Sequence, residues 1–137
     1  MLTVRVARIA QQTPEILSFE LVHPWGRALP EYEAGAHIDV HLPGGFARQY
    51  SLAEAPGAGR YLIGVKREPD SRGGSASLHG RVRTGDLLPI SAPRNTFALQ
   101  RGAAHHLLLA AGIGMTPLLA MAQALAARGE AFTLFVF

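Results

Sequence analysis

The chain contains no cysteine. That excludes a disulfide framework, a thiolate nucleophile, a Cys-ligated zinc and a Cys-ligated iron–sulfur cluster from these 137 residues. Aromatic residues are few, at 7%, with a single tryptophan, and charged residues reach only 17%. Neither sign of charge dominates. Thirteen Lys and Arg against ten Asp and Glu leave a formal charge of +3. Such a balance suits small anionic ligands at least as well as nucleic acid. The arginines form no stripe interleaved with aromatics, so no nucleic-acid partner is expected. Leu2, Val4 and Val6 alternate with Arg5 and Arg8 after Met1, which is a strand pattern and not a secretory leader. A cytoplasmic location is expected. There are no internal repeats and no low-complexity tracts.

What is present is a core. Apolar residues make up 48%, which excludes wholesale disorder. The length holds one ordinary domain, or a small domain and part of a second. Residues 107–127 carry no charge, about the length of a bilayer span. Gly112, Gly114 and Pro117 interrupt that run, so a strand, a glycine turn and a buried helix explain it better, and no membrane partner is expected.

The first hundred residues read as short strands joined by turns. Leu2–Ile9 alternates, and Ile16–Val22 places Leu17, Phe19 and Leu21 on one face. His23-Pro24-Trp25-Gly26 breaks the second strand, and Trp25 is expected to anchor a barrel edge or loop. Ile38, Val40 and Leu42 alternate with His37, Asp39 and His41, giving one dry and one solvated face. Pro43-Gly44-Gly45 turns into a strand at Ala47–Leu52, Arg60–Lys66 follows, and Leu87–Ser91 is the last. About six strands at this spacing predict a closed or nearly closed antiparallel barrel.

The pattern changes after residue 100. His106–Ala111 is a continuous apolar run, as in a parallel strand covered on both faces. A glycine turn follows. Thr116 is placed to cap a helix with Pro117 at its first position, Leu118–Arg128 has helical spacing, Gly129 ends it, and Phe132–Phe137 is a second apolar strand. The expected boundary separates a barrel, 1–101, from the start of an α/β domain, 102–137. Two parallel strands and one helix cannot bury both faces of their sheet, so this second domain is expected to be incomplete. Phe135-Val136-Phe137 would then be an exposed apolar edge.

Three constellations carry chemistry. In Arg48-Gln49-Tyr50-Ser51-Leu52, a strand would point Arg48 and Tyr50 one way and Gln49 and Ser51 the other. A guanidinium fork binds phosphate bidentately, a phenol ring stacks on a planar ligand, and a hydroxyl hydrogen-bonds a ring nitrogen. An ordinary surface arginine on a barrel strand is the plainer alternative. Gly64-Val65-Lys66-Arg67 with Ser71-Arg72-Gly73-Gly74-Ser75-Ala76-Ser77-Leu78-His79 supplies cations, paired glycines and a serine able to cap a short helix. A surface loop has the same composition. Ala110-Ala111-Gly112-Ile113-Gly114-Met115-Thr116-Pro117 feeds a strand through glycines into a helix, a geometry that holds a dinucleotide pyrophosphate, although it lacks the third glycine of the Rossmann fingerprint. A tight strand–helix turn is the alternative.

Their order resembles the flavin reductases of the ferredoxin reductase type, in the branch of phthalate dioxygenase reductase and vanillate demethylase reductase. The motifs that carry the resemblance are Arg-x-Tyr-Ser-Leu (48–52), Val-Lys-Arg (65–67), Gly-Gly-Ser-x-Ser (73–77), Pro-Arg-Asn-x-Phe (93–97) and Gly-Ile-Gly-x-Thr-Pro (112–117). Glu33-Ala34-Gly35-Ala36 resembles the family's loop before the third strand. The chain is similar to the N-terminal part of such proteins over essentially its whole length.

The resemblance implies a flavin-binding six-stranded antiparallel Greek-key barrel followed by the start of a nicotinamide-binding α/β domain. It implies electron transfer from NADH (or NADPH) to a flavin, FMN in preference to FAD, and on to an iron–sulfur acceptor or oxygenase partner. By motif, Arg48 would hold the flavin phosphate, Tyr50 would flank the isoalloxazine beside Gln49, and Ser51 would lie near its N5. Val65 and Lys66 would meet the pyrimidine end. Arg67, Gly73, Gly74, Ser75 and Ser77 would complete the phosphate site, and Gly112, Gly114 and Thr116 would face the nicotinamide. No residue need act as acid or base, because hydride transfer is cofactor chemistry. The family's later nicotinamide-domain residues and iron–sulfur ligands do not appear in these 137 residues. A free-standing flavin reductase and a non-catalytic flavin-binding module are the rival functions. His37, His41, His105 and His106 are expected to be solvated and not metal ligands.

Overall fold

The computed structural model describes residues 1–67 and 74–137, apart from the side chains of Phe46, Ser75 and Ser77. Strands β1 (Leu2–Gln11), β2 (Ile16–Val22), β3 (His37–Leu42), β4 (Phe46–Ser51), β5 (Tyr61–Lys66) and β6 (Leu87–Ile90) form one sheet in the order β4-β3-β6-β1-β2-β5. All its pairings are antiparallel. The jump from β3 to β6, and from β6 back to β1, is a Greek-key path. The sheet curls into a nearly closed barrel. Its two end strands, β4 and β5, meet beyond their ladders where Ala53 N–H donates to Leu62 C=O at 2.8 Å.

Period-two patterning accounts for the core. Val4, Val6, Phe19, Leu21, Ile38, Val40, Ile63, Val65 and Ile90 all turn inward and are fully buried. A short helix, α1 (Gly74–Gly80), sends Leu78 into the same core. Ser75 and Ser77 therefore stand inside this helix and not ahead of it as caps.

The alternation of β3 is followed on its dry face only. His37, expected on the solvated face, is buried because the segment after β6 lies along it. His37 N–H donates to Arg94 C=O at 2.8 Å, and Arg94 N–H returns a bond at 3.0 Å. Gly35 makes this strap possible. It adopts φ +100°, and a Cβ there would lie 2.1 Å from Phe97 O. Trp25 does not bury its ring against the barrel: it is 81% exposed, with a tilted ring contact to His23. It sits in a tight turn, which leaves it outside the sheet's reach.

The chain continues into β7 (His106–Ala110), a 3₁₀ turn (Gly112–Gly114), α2 (Met115–Arg128) and β8 (Phe132–Val136). β7 and β8 pair in parallel. Helix α2 covers one face of this sheet, packing Leu118, Met121 and Leu125 against Leu108 and Ala110. His106 shares that inward face and is buried, contrary to expectation, while His105 on the other parity is exposed. The opposite face is bare, with Leu107 67% and Leu109 63% exposed. β7 is the expected parallel strand, and one of its faces is uncovered within these residues, as a sheet with a single helix requires. No helix is long and apolar enough to cross a membrane among the described residues.

Thr116 does not cap α2. The helix starts at Met115, its N-cap is Gly114 with no side-chain bond, and the Thr116 hydroxyl donates back to Ile113 C=O at 3.1 Å. The 3₁₀ turn has moved the helix start upstream, and Pro117 remains within the first turn, where a missing N–H costs nothing. At the other end Gly129 adopts φ +70° and closes the helix.

Candidate functional site: the seam between the barrel ends

Strand β4 supplies the first group. Its register places Arg48 opposite Val40 and Tyr50 opposite Ile38, so both stand on the face of those buried residues. They are nonetheless only half-buried, because β4 ends the sheet. Gln49 is exposed and Ser51 half-buried on the other face. Burial pushes the Tyr50 phenol above its ordinary pKa, and the Arg48 guanidinium pulls the other way, so the two groups feel one another. Arg48 Nη1 also donates to Ala47 C=O at 2.9 Å.

The facing strand supplies the second. On β5 Val65 is buried, Gly64 and Lys66 are half-buried, and Arg67 is exposed with its N–H donated to Glu15 C=O at 2.7 Å. Of the glycine–serine loop, Gly74 begins α1, whereas Gly73 and Arg72 lie outside the described residues. Helix α1 packs against β3, β4 and β5, and its Leu78 and His79 reach the core and Val65.

The third group comes from the far end of the chain. Gly112, at φ +55°, and Thr116 line a pocket of about 330 Å³ with Ala53, Ile63, Gly64, Gln12 and Ser18. Gly114 is not among its walls. Contact with the barrel is close. A Cβ at Gly64 would lie 3.1 Å from Thr116 Cγ2 and 3.4 Å from Ile113 Cδ1. Gln123 Oε1 on α2 accepts from Ala55 N–H at 2.8 Å. Gly64 precedes Val65, so the glycine turn stands beside the strand that borders the seam.

A scan against protein-family models finds no match. Curated and solved proteins do match. A vanillate O-demethylase oxidoreductase of Pseudomonas sp. is 50% identical over 135 residues, covering 98% of this chain and 43% of the relative. The structure of phthalate dioxygenase reductase, described as modular and built for electron transfer from pyridine nucleotides to a 2Fe–2S centre, superposes with a TM-score of 0.96 at 42% identity. It too covers 98% of this chain, which spans 43% of that one. The flavohem-like FAD/NAD binding domain of nitric oxide dioxygenase from Vibrio cholerae gives a TM-score of 0.86 at 31% identity, covering 98% of this chain and 61% of that domain. Over nearly its whole length the chain is similar in sequence and fold to one part of the reductases of oxygenase systems. It spans about two fifths of the length of the curated relatives it matches.

Gly64 and His79 both stand in the second constellation of the sequence, which gives neither of them a role of its own. Gly64 was visible only as part of a glycine-containing strand; that it receives Thr116 is a tertiary fact. His79 follows the serine loop, yet nothing local shows that its ring reaches Val65 C=O at 2.8 Å. Among the described residues no cluster of three or more His, Asp or Glu side chains could hold a metal ion.

Proposed function

We propose that this chain is the flavin-binding part of an NAD(P)H-dependent oxygenase reductase, acting in the cytoplasm, with FMN in preference to FAD and NADH as the reductant. The single observation that carries this reading is that the two end strands of the sheet lie side by side. Arg48, Tyr50 and Ser51 occupy one sheet end, Val65 and Lys66 the other, and the Gly112–Thr116 turn abuts the second. These residues fit a phosphorylated, planar heteroaromatic group. A guanidinium at 48, a half-buried phenol at 50 and a hydroxyl at 51 lie within four positions of one end strand, beside the other.

When bound, the flavin would supply two-electron acceptance from a reduced nicotinamide and one-electron delivery to an iron–sulfur acceptor. The chain's own residues bind and orient. Arg48 neutralises the phosphate, with Arg67, Gly73, Gly74, Ser75 and Ser77 completing that end. Tyr50 lies against the ring next to Gln49, and Val65, Lys66 and Ser51 address its polar edge. Gly112 and Thr116 would form the near wall for the nicotinamide, with Gly114 supporting the turn between them. The barrel at 1–101 holds the flavin, and 102–137 contributes the beginning of the nicotinamide side. The onward acceptor is an iron–sulfur protein or domain of an oxygenase system.

The test is a comparison of FMN with riboflavin, which lacks the phosphate, by quenching of flavin fluorescence. Wild type is expected to prefer FMN by on the order of 10- to 100-fold, and Arg48→Ala to lose most of that preference. A parallel titration with FAD ranks the two cofactors. Absence of binding to any of the three at micromolar concentration would overturn the reading, and an intact phosphate preference in Arg48→Ala would remove Arg48 from it.

A further inference from the structure

Strand β5 ends the barrel sheet, so one of its edges has no strand partner in the ladder. An edge of this kind leaves backbone groups to water or ligand. At Val65 the carbonyl is instead claimed by a side chain. His79, on α1, lies with Nε2 2.8 Å from Val65 O. A carbonyl only accepts, so Nε2 carries the hydrogen. The ring is half-buried, and its neighbour Leu78 is fully buried in the barrel core. The Leu78 contact is apolar and non-directional; it sets how deep the helix sits and not where it stands along the strand. The hydrogen bond is directional. The ladder to β2 already fixes the Val65 and Lys66 peptides, so tethering this oxygen fixes where α1 stands along β5.

We infer that His79 is a positioning residue of the flavin site: its bond to Val65 C=O sets the spacing between the ring-side strand β5 and the phosphate-side segment 74–77. This rests on the flavin reading above. The consequence is specific. A ligand that spans both ends feels the spacing, whereas one that uses only the ring end does not. Loss of the tether therefore lowers FMN affinity and leaves riboflavin affinity nearly unchanged. A general loosening of the fold would weaken both alike.

The experiment titrates wild type, His79→Leu and His79→Gln with FMN and with riboflavin, and records the visible spectrum of bound FMN. His79→Leu is expected to weaken FMN on the order of tenfold, to change riboflavin by less than about twofold and to shift the bound-flavin band. His79→Gln, whose Nε2 can donate from a similar distance, is expected to recover most of the FMN affinity. Equal weakening of both flavins, no weakening of either, or a folded His79→Gln as poor as His79→Leu would each overturn the inference. Should His79→Leu fail to fold, His79→Gln and the imidazole nitrogen resonances of the wild type decide. FMN must then perturb His79 Nε2 more than riboflavin does, and equal or absent perturbation counts against the tether. Wild type that binds neither flavin fails the functional reading first, and the positioning role falls with it.

Discussion

The barrel and the β7–α2–β8 unit bury their apolar residues by different means. In the barrel, one face of each strand turns into a common interior, and Phe19, Ile38, Ile63 and Ile90 lose all contact with solvent. The β7–β8 sheet has a single helix to work with. Its inward parity is covered by α2, and its outward parity, Leu107 and Leu109, faces water. A curved antiparallel sheet can be its own second layer, whereas a two-stranded parallel sheet needs a layer on each side. The two regions are nevertheless joined: Ala34 and Ala55 of barrel loops pack with the α2 cluster.

The sharpest way to break the barrel side of this comparison is Gly35→Ala. Its Cβ would fall 2.1 Å from the Phe97 carbonyl at a φ of +100°. Backbone cannot yield as a side chain does, so a loss of roughly 3 kcal/mol or more is expected in denaturant unfolding. A variant as stable as wild type would show that the 93–97 strap does not hold the barrel.

Alkaline pH should act next, and on the barrel alone. Burial pushes the Tyr32 and Tyr61 phenols up to about 12. Tyr32 donates to Glu54 C=O at 2.7 Å and Tyr61 to Pro30 C=O at 2.5 Å. Because the folded-state values lie above the unfolded value of about 10, the unfolded chain loses these protons first. Stability is then fully present below about pH 10 and is lost as pH rises toward 12. Melting temperature measured across this range should fall, and Tyr32→Phe should flatten the decline while lowering stability at neutral pH. A melting temperature unchanged to pH 12 would contradict the burial of these phenols.

Gly64→Ala probes the join. The added methyl meets Thr116 Cγ2 at 3.1 Å, a side-chain atom able to shift slightly. A cost of about 1 kcal/mol is expected, with FMN affinity retained if the glycine turn serves the nicotinamide side and not the flavin. Loss of FMN binding would place Gly64 within the flavin site itself. The smallest effect belongs to the bare sheet face. Leu109→Lys should change stability by no more than about 0.5 kcal/mol and should reduce self-association in light scattering. A large destabilisation would mean that this face is covered.

Much of the fold is legible along the chain. Six alternating segments predict a barrel because the strand period and a one-sided core require each other. The strand–helix–strand end is equally readable, since its apolar parity and its glycines are local signals. The boundary signals are less so. Thr116 has the chemistry of a cap, but whether it serves as one depends on where the preceding turn hands over to the helix, and here the 3₁₀ turn starts α2 two residues earlier, at Met115 in place of Pro117. His37 reads as solvated because a strand pattern cannot reveal a strap 57 residues later along its length. The candidate site is legible as residue types on β4 and β5, and illegible as a seam, because only the strand order makes those two the sheet's ends.

By itself the sequence determines which side chains are apolar together, where the chain must turn, and which strand carries a cation, a phenol and a hydroxyl in succession. Those are properties of neighbours, set by the strand and helix periods. Tertiary structure alone decides that β4 and β5, the two ends of the sheet, come side by side, that Thr116 fills the space above Gly64, and that the His79 ring reaches Val65 C=O. Each of these joins residues distant in sequence, and their meeting depends on how the whole sheet curls to bury its interior.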